Sequence, residues 1–285
     1  TGKITKKMEK NNTLKFITRG KYKVVNEMVE ISELPVGKWT HDFKEFIEKK
    51  WKNIWNKRKI VKELKTKITL ADLIEADGFD TGATSYREKS WRTMVRDFCN
   101  RVTFNEDSNV LEIGCGCGAF LYACNEIVKA NYFGIDFSRP LIEIAKKQIP
   151  RGHFVVSEAN ELTFKNTKFD LILSHGVFIY FPSHQYVEKV LKKYTERIVA
   201  GGKLALMDLN DSKRKKDYHS FRKSMYKNPD DYEKDYEGLQ HLFFEKNEIE
   251  KYLKSLGMDK FKYFPHAVSS YGNADFRFNL ICEKI

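Results

Sequence analysis

The segment VLEIGCGCGAF at residues 110–120 constrains the fold more than any other part of this chain. It places Gly114, Gly116 and Gly118 at alternate positions, directly after a short apolar run. Glycine costs backbone entropy inside a strand or a helix and offers no side chain to pack. The three glycines therefore predict a sharp turn between a strand and a helix, at a place where another group approaches the backbone closely.

Segments with strand character alternate with helical segments downstream of this turn. The predicted strands are NYFGID, HFVVSE, FDLILSH and GKLALMDL, and amphipathic helices follow several of them. This alternation predicts an α/β fold, with a parallel sheet covered by helices on both faces. The final strands, FKYFPHAVSSY and DFRFNLICEK, are separated by three residues, which is too short for a parallel crossover. The last strand is therefore expected to run antiparallel.

Three acids stand near or at the ends of the first three predicted strands, where open α/β sheets bind their ligands. Glu112 precedes the first glycine and suits the positive end of an amino acid better than a pyrophosphate. Asp136 lies where a carboxylate accepts the hydroxyls of a ribose. Glu158 could accept a hydrogen bond from an adenine amino group. Each acid alone is also explained as a helix cap, but the three in order indicate one nucleoside-containing ligand.

The region from about residue 70 to residue 285 resembles the class I S-adenosylmethionine-dependent methyltransferases. VLEIGCGCG is similar to their first motif, GIDFS to their ribose-binding strand end and FVVSEANEL to their adenine-contacting segment. The resemblance implies a Rossmann-like, doubly wound sheet of seven strands with an antiparallel last strand, S-adenosylmethionine as cofactor, and no metal. Glu158 departs from the family, which more often has Asp there. The implied cofactor contacts are Glu112, Gly114, Cys115, Gly116, Gly118, Asp136, Phe137, Glu158, Ala159 and Ser174.

Three residues are candidates for the catalytic side of the site. His175 ends the fourth strand of this region, and an ordinary histidine pKa suits a base or acceptor ligand, although it could equally line the cofactor site. Tyr271 and Arg277 flank the last turn, where the guanidinium would orient an anionic or sugar-like acceptor. The alternative is a simple turn with Arg277 paired to Asp275 or another surface acid.

Two further segments bear on the acceptor. Asp208 ends the fifth strand and could face the substrate or cap a helix. The insert at about residues 212–245 stands where the family carries substrate-covering elements, although its aromatic residues suit packing equally. HLFFEKNEIEKYLKSLGM and YGNADFRFN resemble small-molecule methyltransferases of bacterial glycan and natural-product pathways.

The basic charge of the chain is concentrated before residue 70. The net charge is +12, and residues 1–70 hold 19 Lys and Arg against 8 Asp and Glu. We therefore predict a basic N-terminal extension over residues 1–69 and a catalytic domain over residues 70–285. Such an extension binds polyanions in some proteins, but a solvated lysine-rich surface is the favoured interpretation.

The extension is expected to be mobile over residues 1–20, to form one or two short strands over residues 21–35, and then to be helical. The helix, from Asp42 to about Arg58, carries an apolar stripe that either packs on the body of the protein or covers a ligand. Residues 21–50 also resemble a short segment of type II DNA topoisomerases. None of that family's catalytic chemistry is present, so no function follows from this likeness.

Composition narrows the class of protein. No apolar run approaches the ~20 residues that span a bilayer, and the five cysteines suit reduced thiols, so a cytoplasmic location without membrane association is expected.

The leading hypothesis is methyl transfer to an oxygen or nitrogen atom of a small molecule, such as a glycan-related or natural-product precursor. The first alternative is an RNA methyltransferase guided by the basic extension, although nucleic-acid binding is less favoured. The second alternative is a non-catalytic subunit with the same fold. The sequence leaves the oligomeric state open.

Overall fold

The computed structural model describes residues 3–8, 14–19, 21–25, 28–33, 55, 68–79, 85–161, 163–228, 231–232 and 241–285. The chain divides into two compact units, Thr1–Lys50 and Trp51–Ile285. The boundary predicted at residue 69 stays a prediction, because residues 56–67 lie outside the described residues.

Two antiparallel strand pairs make up the described part of the first unit. Strand β1 (Lys3–Met8) pairs with β2 (Leu14–Arg19), and β3 (Lys21–Val25) pairs with β4 (Met28–Glu33). The short strands predicted over residues 21–35 are confirmed. The mobility expected over residues 1–20 is corrected for Lys3–Met8 and Leu14–Arg19, which form strands and contain β-branched residues that favour them. The described residues of the predicted helical extension before residue 34 are therefore strands.

The helix predicted from Asp42 to about Arg58 lies outside the described residues, except for Trp55. That residue is helical and half-buried, and its ring lies edge-on to Tyr180, with the two centroids 5.7 Å apart. The topoisomerase likeness also stays a prediction, since most of its later half is outside the described residues.

A seven-stranded sheet organises the second unit. Its strands are β5 (Asn109–Ile113), β6 (Asn131–Asp136), β7 (His153–Val156), β8 (Phe169–His175), β9 (Ile198–Asn210), β10 (Met258–Phe264) and β11 (Arg277–Lys284). The strand order is β10-β11-β9-β8-β5-β6-β7. β5 to β9 pair in parallel, whereas β11 is antiparallel to both β9 and β10. The predicted seven-stranded sheet with an antiparallel last strand is confirmed.

Helices accompany the strands in the predicted alternation. They are α1 (Leu70–Ala76), α2 (Glu88–Arg101), α3 (Ala119–Asn125), α4 (Arg139–Gln148), α5 (His184–Thr195), α6 (Lys215–Ser224) and α7 (Lys246–Ser255). Arg87 is the N-cap of α2 and makes no side-chain capping bond.

Apolar side chains fill both faces of the sheet. One cluster includes Trp91, Phe98 and Leu121, and the other includes Leu111 and Ile172, all less than 2 % exposed. Because β5 lies between β6 and β8, the strand order reverses at β5. Ligands of such sheets bind at the carboxyl ends of the strands beside this reversal, which places the glycine turn at the expected position. In the described part of the chain, no helix combines the length and apolarity needed to cross a bilayer.

Candidate cofactor and acceptor site

The glycine segment forms a tight turn between β5 and α3. Gly114, Gly116 and Gly118 all have positive φ angles, of 74°, 53° and 84°. The N–H groups of Gly114 and Cys115 both donate to the carbonyl oxygen of Ile135, at 2.8 and 2.9 Å. A Cβ atom at residue 116 would lie 2.2 Å from Asp77 Oδ1. Both the backbone angle and the available space therefore require glycine at this position.

Asp77 holds the far side of this turn, and the sequence analysis missed it. Its carboxylate accepts the N–H groups of Cys117 at 2.7 Å and Ala119 at 3.2 Å, across about forty residues of sequence. Burial raises the pKa of Asp77 to about 7, and the two N–H donors only partly offset this. An acid followed by glycine at the end of α1 resembles an ordinary helix terminus, so the sequence carried no signal for this contact.

Asp136 closes β6 beside the same turn, as predicted. Its Oδ2 accepts the N–H of Gly116 at 3.0 Å, and its Oδ1 accepts the N–H of Ser138 at 2.8 Å. Burial raises the pKa of Asp136 to about 6, and the nearby charge of Glu158 adds to the shift. Each oxygen of an ionised carboxylate accepts more than one hydrogen bond, so Asp136 can also accept two hydroxyl groups of a ligand.

Glu112 is the third carboxyl group of this cluster. It is 2 % exposed, and its Oε2 has no hydrogen-bond partner among the described residues. Burial, together with the charges of Asp77 and Asp136, raises its pKa well above the usual value. Three acids within one buried region suit a ligand that brings a positive charge and hydroxyl groups. The residues present therefore fit an amino-acid nucleoside such as S-adenosylmethionine.

The remaining predicted cofactor residues lie along the same edge of the sheet. Ser174 is buried at the end of β8, and its hydroxyl donates to the carbonyl oxygen of Ile113 at 2.8 Å, next to the first glycine. Phe137 is half-buried, directly after Asp136. Glu158 and Ala159 are also half-buried, just beyond β7. The structure therefore brings the predicted cofactor residues to the ends of four neighbouring strands.

His175 lies on the acceptor side, inside an aromatic wall. Its ring centroid is 5.2 Å from Phe79, 5.3 Å from Trp91 and 5.2 Å from Phe120. Burial lowers its pKa to about 4, and its Nε2 has no hydrogen-bond partner in the described part of the chain. The expectation that this imidazole titrates near neutrality is wrong. His175 is an uncharged hydrogen-bonding group at neutral pH.

Arg277 and Tyr271 converge on Asp208. The guanidinium donates through Nη1 to Asp208 Oδ2, and at 2.8 Å to the oxygen of Tyr271, while its Nε donates to Asn210 Oδ1 at 2.9 Å. Tyr271 also donates to Asp208 Oδ2, at 3.1 Å. The alternative pairing of Arg277 with Asp275 or another surface acid is wrong, because its partner is an acid only 1 % exposed.

Asp208 is held in an uncommon conformation. Its φ angle is +63°, which is rare for a residue other than glycine, and its N–H donates to Asn279 Oδ1 at 2.9 Å. Burial raises the pKa of this carboxyl, but Arg277 and His266 outweigh burial and hold the pKa below its usual value. His266 Nε2 lies 3.0 Å from Asp208 Oδ1. The sequence analysis missed His266, because a lone histidine in a loop gives no pattern.

The two halves of the site adjoin each other at Gly176. A Cβ atom at this position would lie 3.3 Å from Phe79 Cζ and 3.4 Å from Asp208 Oδ2. Phe79 follows Asp77 by two residues, and Asp77 contacts the glycine turn. The cluster around Asp208, called the acceptor cluster after the role predicted for Tyr271 and Arg277, is therefore adjacent to the strand end that borders the predicted cofactor residues.

The insert contributes a further aromatic group beyond β9. Tyr218, on α6, hydrogen-bonds with His241 Nδ1 at 2.8 Å, and the rings of His241 and Tyr180 are 5.0 Å apart. In the KRKK run before and within α6, Lys213, Arg214 and Lys216 are exposed, which agrees with a solvated surface.

Comparisons with known proteins agree with this geometry. Residues 110–202 match the family model described as a methyltransferase domain. The matched residues begin within β5 and include the glycine turn, Asp136 and His175. A magnesium protoporphyrin IX methyltransferase from Synechocystis, solved with bound S-adenosylhomocysteine, superposes with a TM-score of 0.53 at 12 % identity, over 86 % of this chain and all of the other. This likeness shows the shared fold.

Two curated relatives are similar over about a third or more of this chain. A malonyl-[acyl-carrier protein] O-methyltransferase of Priestia megaterium is 31 % identical over 109 residues, covering 36 % of this chain and 39 % of the relative. A probable tRNA methyltransferase 9B of Bos taurus is 31 % identical over 121 residues, covering 42 % of this chain and 25 % of the relative. The matched part thus spans well under half the length of either relative.

The buried acids predict that cofactor binding depends on pH. Asp136 has a pKa of about 6 without ligand, and ribose hydroxyls bind its ionised form more strongly, so binding lowers this pKa and releases a proton. Affinity for S-adenosylhomocysteine should therefore rise as the pH rises from 5 to 7. Calorimetry in two buffers of different ionisation enthalpy at pH 6 measures the proton release, and Asp136→Asn is the control that should remove most of it. Equal affinity at both ends of this range would contradict the assignment.

Proposed function

We propose that this protein transfers a methyl group from S-adenosylmethionine to an oxygen or nitrogen atom of a small molecule. S-adenosylmethionine supplies an electrophilic methyl group on a sulfonium, which already carries its own leaving group. The tasks left to the protein are to hold the cofactor, to align the acceptor with the methyl carbon and to manage the acceptor's proton. Alignment of two reactants contributes roughly 7–11 kcal/mol at best.

The cofactor half of the site is assigned to the ends of β5, β6 and β7. Asp136 would accept the ribose hydroxyls, and Glu112 would balance the charge of the amino-acid end. Glu158, near Asp136, would accept a hydrogen bond from the adenine amino group. The glycine turn would lie against the ligand, because any side chain at residue 116 would displace Asp77.

The enclosed acceptor side is the observation that carries the small-molecule proposal. Tyr271 and Arg277 are 2 % and 6 % exposed, and the guanidinium charge is balanced by the buried Asp208. A buried polar cluster of this kind suits a small acceptor group, which Tyr271, Arg277 and the uncharged His175 would position. A glycan-related or natural-product precursor would meet these requirements.

Transfer to RNA is the second candidate, and it is supported by the similarity to a probable tRNA methyltransferase and by the basic extension. Proteins that follow a phosphate backbone carry several exposed cations around the site. Residues 71–285 hold 32 Lys and Arg against 31 Asp and Glu. This near balance favours the small-molecule acceptor.

Radiolabelled S-adenosylmethionine distinguishes the two candidates. The full chain is incubated with a fractionated small-metabolite extract and, separately, with total RNA, each at low and high salt. We expect label in the small-molecule fraction, with little effect of salt, and none when the protein carries Asp136→Ala. Label recovered in RNA, and lost at high salt, would instead establish the RNA alternative.

A further inference from the structure

A chain of three buried side chains adjoins the acceptor cluster, and the roles assigned above do not use it in full. Tyr86 precedes α2, Asp208 lies near the end of β9, and His266 follows β10. The oxygen of Tyr86 lies 3.4 Å from His266 Nδ1, and His266 Nε2 lies 3.0 Å from Asp208 Oδ1. Three distant parts of the sequence thus form one continuous line of polar groups.

We infer that Tyr86, His266 and Asp208 form a proton relay, and that the group it deprotonates is a hydroxyl on the acceptor. This inference rests on the proposed function, because it names the atom methylated in the same site. Tyr86 would contact the acceptor hydroxyl directly, His266 would receive the proton, and Asp208 would position the imidazole.

The charge of Asp208 sets the direction of the relay. Arg277 and His266 hold the pKa of this carboxyl below its usual value despite its burial, so it is ionised and only accepts hydrogen bonds. His266 Nε2 faces this carboxylate at 3.0 Å, so the relay requires a proton on Nε2. Nδ1 is left as an acceptor, and Tyr86 must donate its hydroxyl proton to it. This leaves the lone pairs of the Tyr86 oxygen to accept the hydroxyl of a substrate.

The surroundings of Tyr86 connect the relay to the methyl-transfer site. The Tyr86 ring stacks on Tyr271 with centroids 4.5 Å apart, and it lies 5.4 Å from Trp91. Trp91 in turn contacts His175, at the end of β8. The 3.4 Å separation of Tyr86 from His266 is long for a hydrogen bond, as is common in catalytic sites before the substrate closes them.

The backbone at Asp208 supports a role beyond packing. A non-glycine residue at φ +63° is costly and is kept where the surroundings impose it. Here Asn279 fixes the N–H, while Arg277, Tyr271 and His266 surround the carboxylate. This arrangement holds one carboxylate oxygen towards Arg277 and the other towards His266.

The surroundings of the relay suit a hydroxyl acceptor. Arg277 Nη1 donates to the Tyr271 oxygen at 2.8 Å in the same cluster. Fixed hydrogen-bond donors of this kind stabilise the negative charge that develops on a hydroxyl oxygen as it loses its proton.

The transfer balances as follows. The acceptor oxygen forms a bond to the methyl carbon, and the carbon–sulfur bond breaks with its electron pair left on sulfur. The hydroxyl proton passes to Tyr86, and the phenol proton of Tyr86 passes to His266 Nδ1. The positive charge of the sulfonium is thus replaced by that of an imidazolium paired with Asp208.

The tautomer of His266 tests the relay without any acceptor. In ¹⁵N-histidine-labelled protein bound to S-adenosylhomocysteine, the His266 ring should carry a proton on Nε2, with its resonance assigned by its loss in His266→Gln. Tyr86→Phe should shift the Nδ1 resonance, because it removes that nitrogen's donor. Tyr132→Phe is the control, since that buried hydroxyl bonds to the carbonyl of Val128 away from the site and should leave the resonance unchanged. A proton on Nδ1 would overturn the relay.

The chemical form of the labelled product tests the acceptor class. Label transferred to a small molecule should be released as methyl iodide by hydriodic acid, as expected of a methyl ether or ester, and recovery as an N-methyl amine would overturn the hydroxyl assignment.

Once the acceptor is identified in this way, Tyr86→Phe should lower kcat roughly 10²–10⁴-fold with little change in KM, whereas Tyr132→Phe should leave kcat unchanged. Unchanged kcat in Tyr86→Phe would overturn the relay. A failure to label any small molecule would contradict the proposed function, and the tautomer would still decide the relay.

Discussion

Gly116→Ala is expected to lower the affinity for S-adenosylhomocysteine by at least ~100-fold, which corresponds to about 2.7 kcal/mol. The new Cβ atom would lie 2.2 Å from Asp77 Oδ1, and the backbone at this position has a φ of +53°. Relief of the clash must move either the turn or the carboxylate that accepts the N–H groups of Cys117 and Ala119. Either movement changes the surface that lies against the cofactor. Isothermal titration calorimetry measures the change.

Gly201→Ala is the matched control for this substitution. Gly201 also has a positive φ, of 76°, but a Cβ atom there would meet nothing within 4 Å. Both variants therefore carry the backbone strain of a left-handed residue, roughly 1–2 kcal/mol, and only one changes the turn. Equal affinities in the two variants would show that the space beside Gly116 does not matter for cofactor binding.

Arg277→Met is expected to lower the free energy of unfolding by about 3–5 kcal/mol, because it leaves the buried carboxylate of Asp208 without its strongest cation. Asp208 is 1 % exposed, and its low pKa depends on Arg277. For a domain of this size the loss corresponds to a fall of roughly 6–20 °C in the thermal midpoint. Calorimetry or circular dichroism at neutral pH measures it.

Lys146→Met is the comparison for the loss of one ion-pair partner. Lys146 lies 3.0 Å from Glu143 on the surface of α4, with both side chains about half exposed. Exposed pairs contribute little to stability, so the midpoint should hardly change. If Arg277→Met melted together with Lys146→Met and the parent, Asp208 would have to be stabilised by other groups, and the account of the cluster would be wrong.

The cofactor half of the site could be predicted from the sequence because its signals are local. The glycines share one turn, and Asp136 and Glu158 each come at or just after a strand. In a parallel sheet the carboxyl ends of neighbouring strands meet at one edge. Strand order therefore brings these local patterns to one edge of the sheet, where a shared ligand site stays a prediction.

The other half of the site depends on contacts between distant segments. Asp77 meets the glycine turn about forty residues away, and His266 meets Asp208 from a loop after β10. The basicity of His175 was predicted wrongly for a related reason. Its pKa follows from burial among Phe79, Trp91 and Phe120, and no spacing in the sequence reports burial by residues so far apart.

The N-terminal unit shows the limit of composition as a guide. Residues 1–20 were expected to be mobile, but Lys3–Met8 and Leu14–Arg19 pair as antiparallel strands. Both segments contain adjacent β-branched residues, Ile4 with Thr5 and Ile17 with Thr18, which favour strands.

Titration of the parent protein with S-adenosylhomocysteine and, separately, with NAD tests the central claim most directly. The acids Glu112, Asp136 and Glu158 around the turn should bind the amino-acid nucleoside at one site per chain and repel a pyrophosphate. We therefore expect saturable heat with S-adenosylhomocysteine and none with NAD. Absence of binding to S-adenosylhomocysteine, or binding of NAD with equal affinity, would contradict the account.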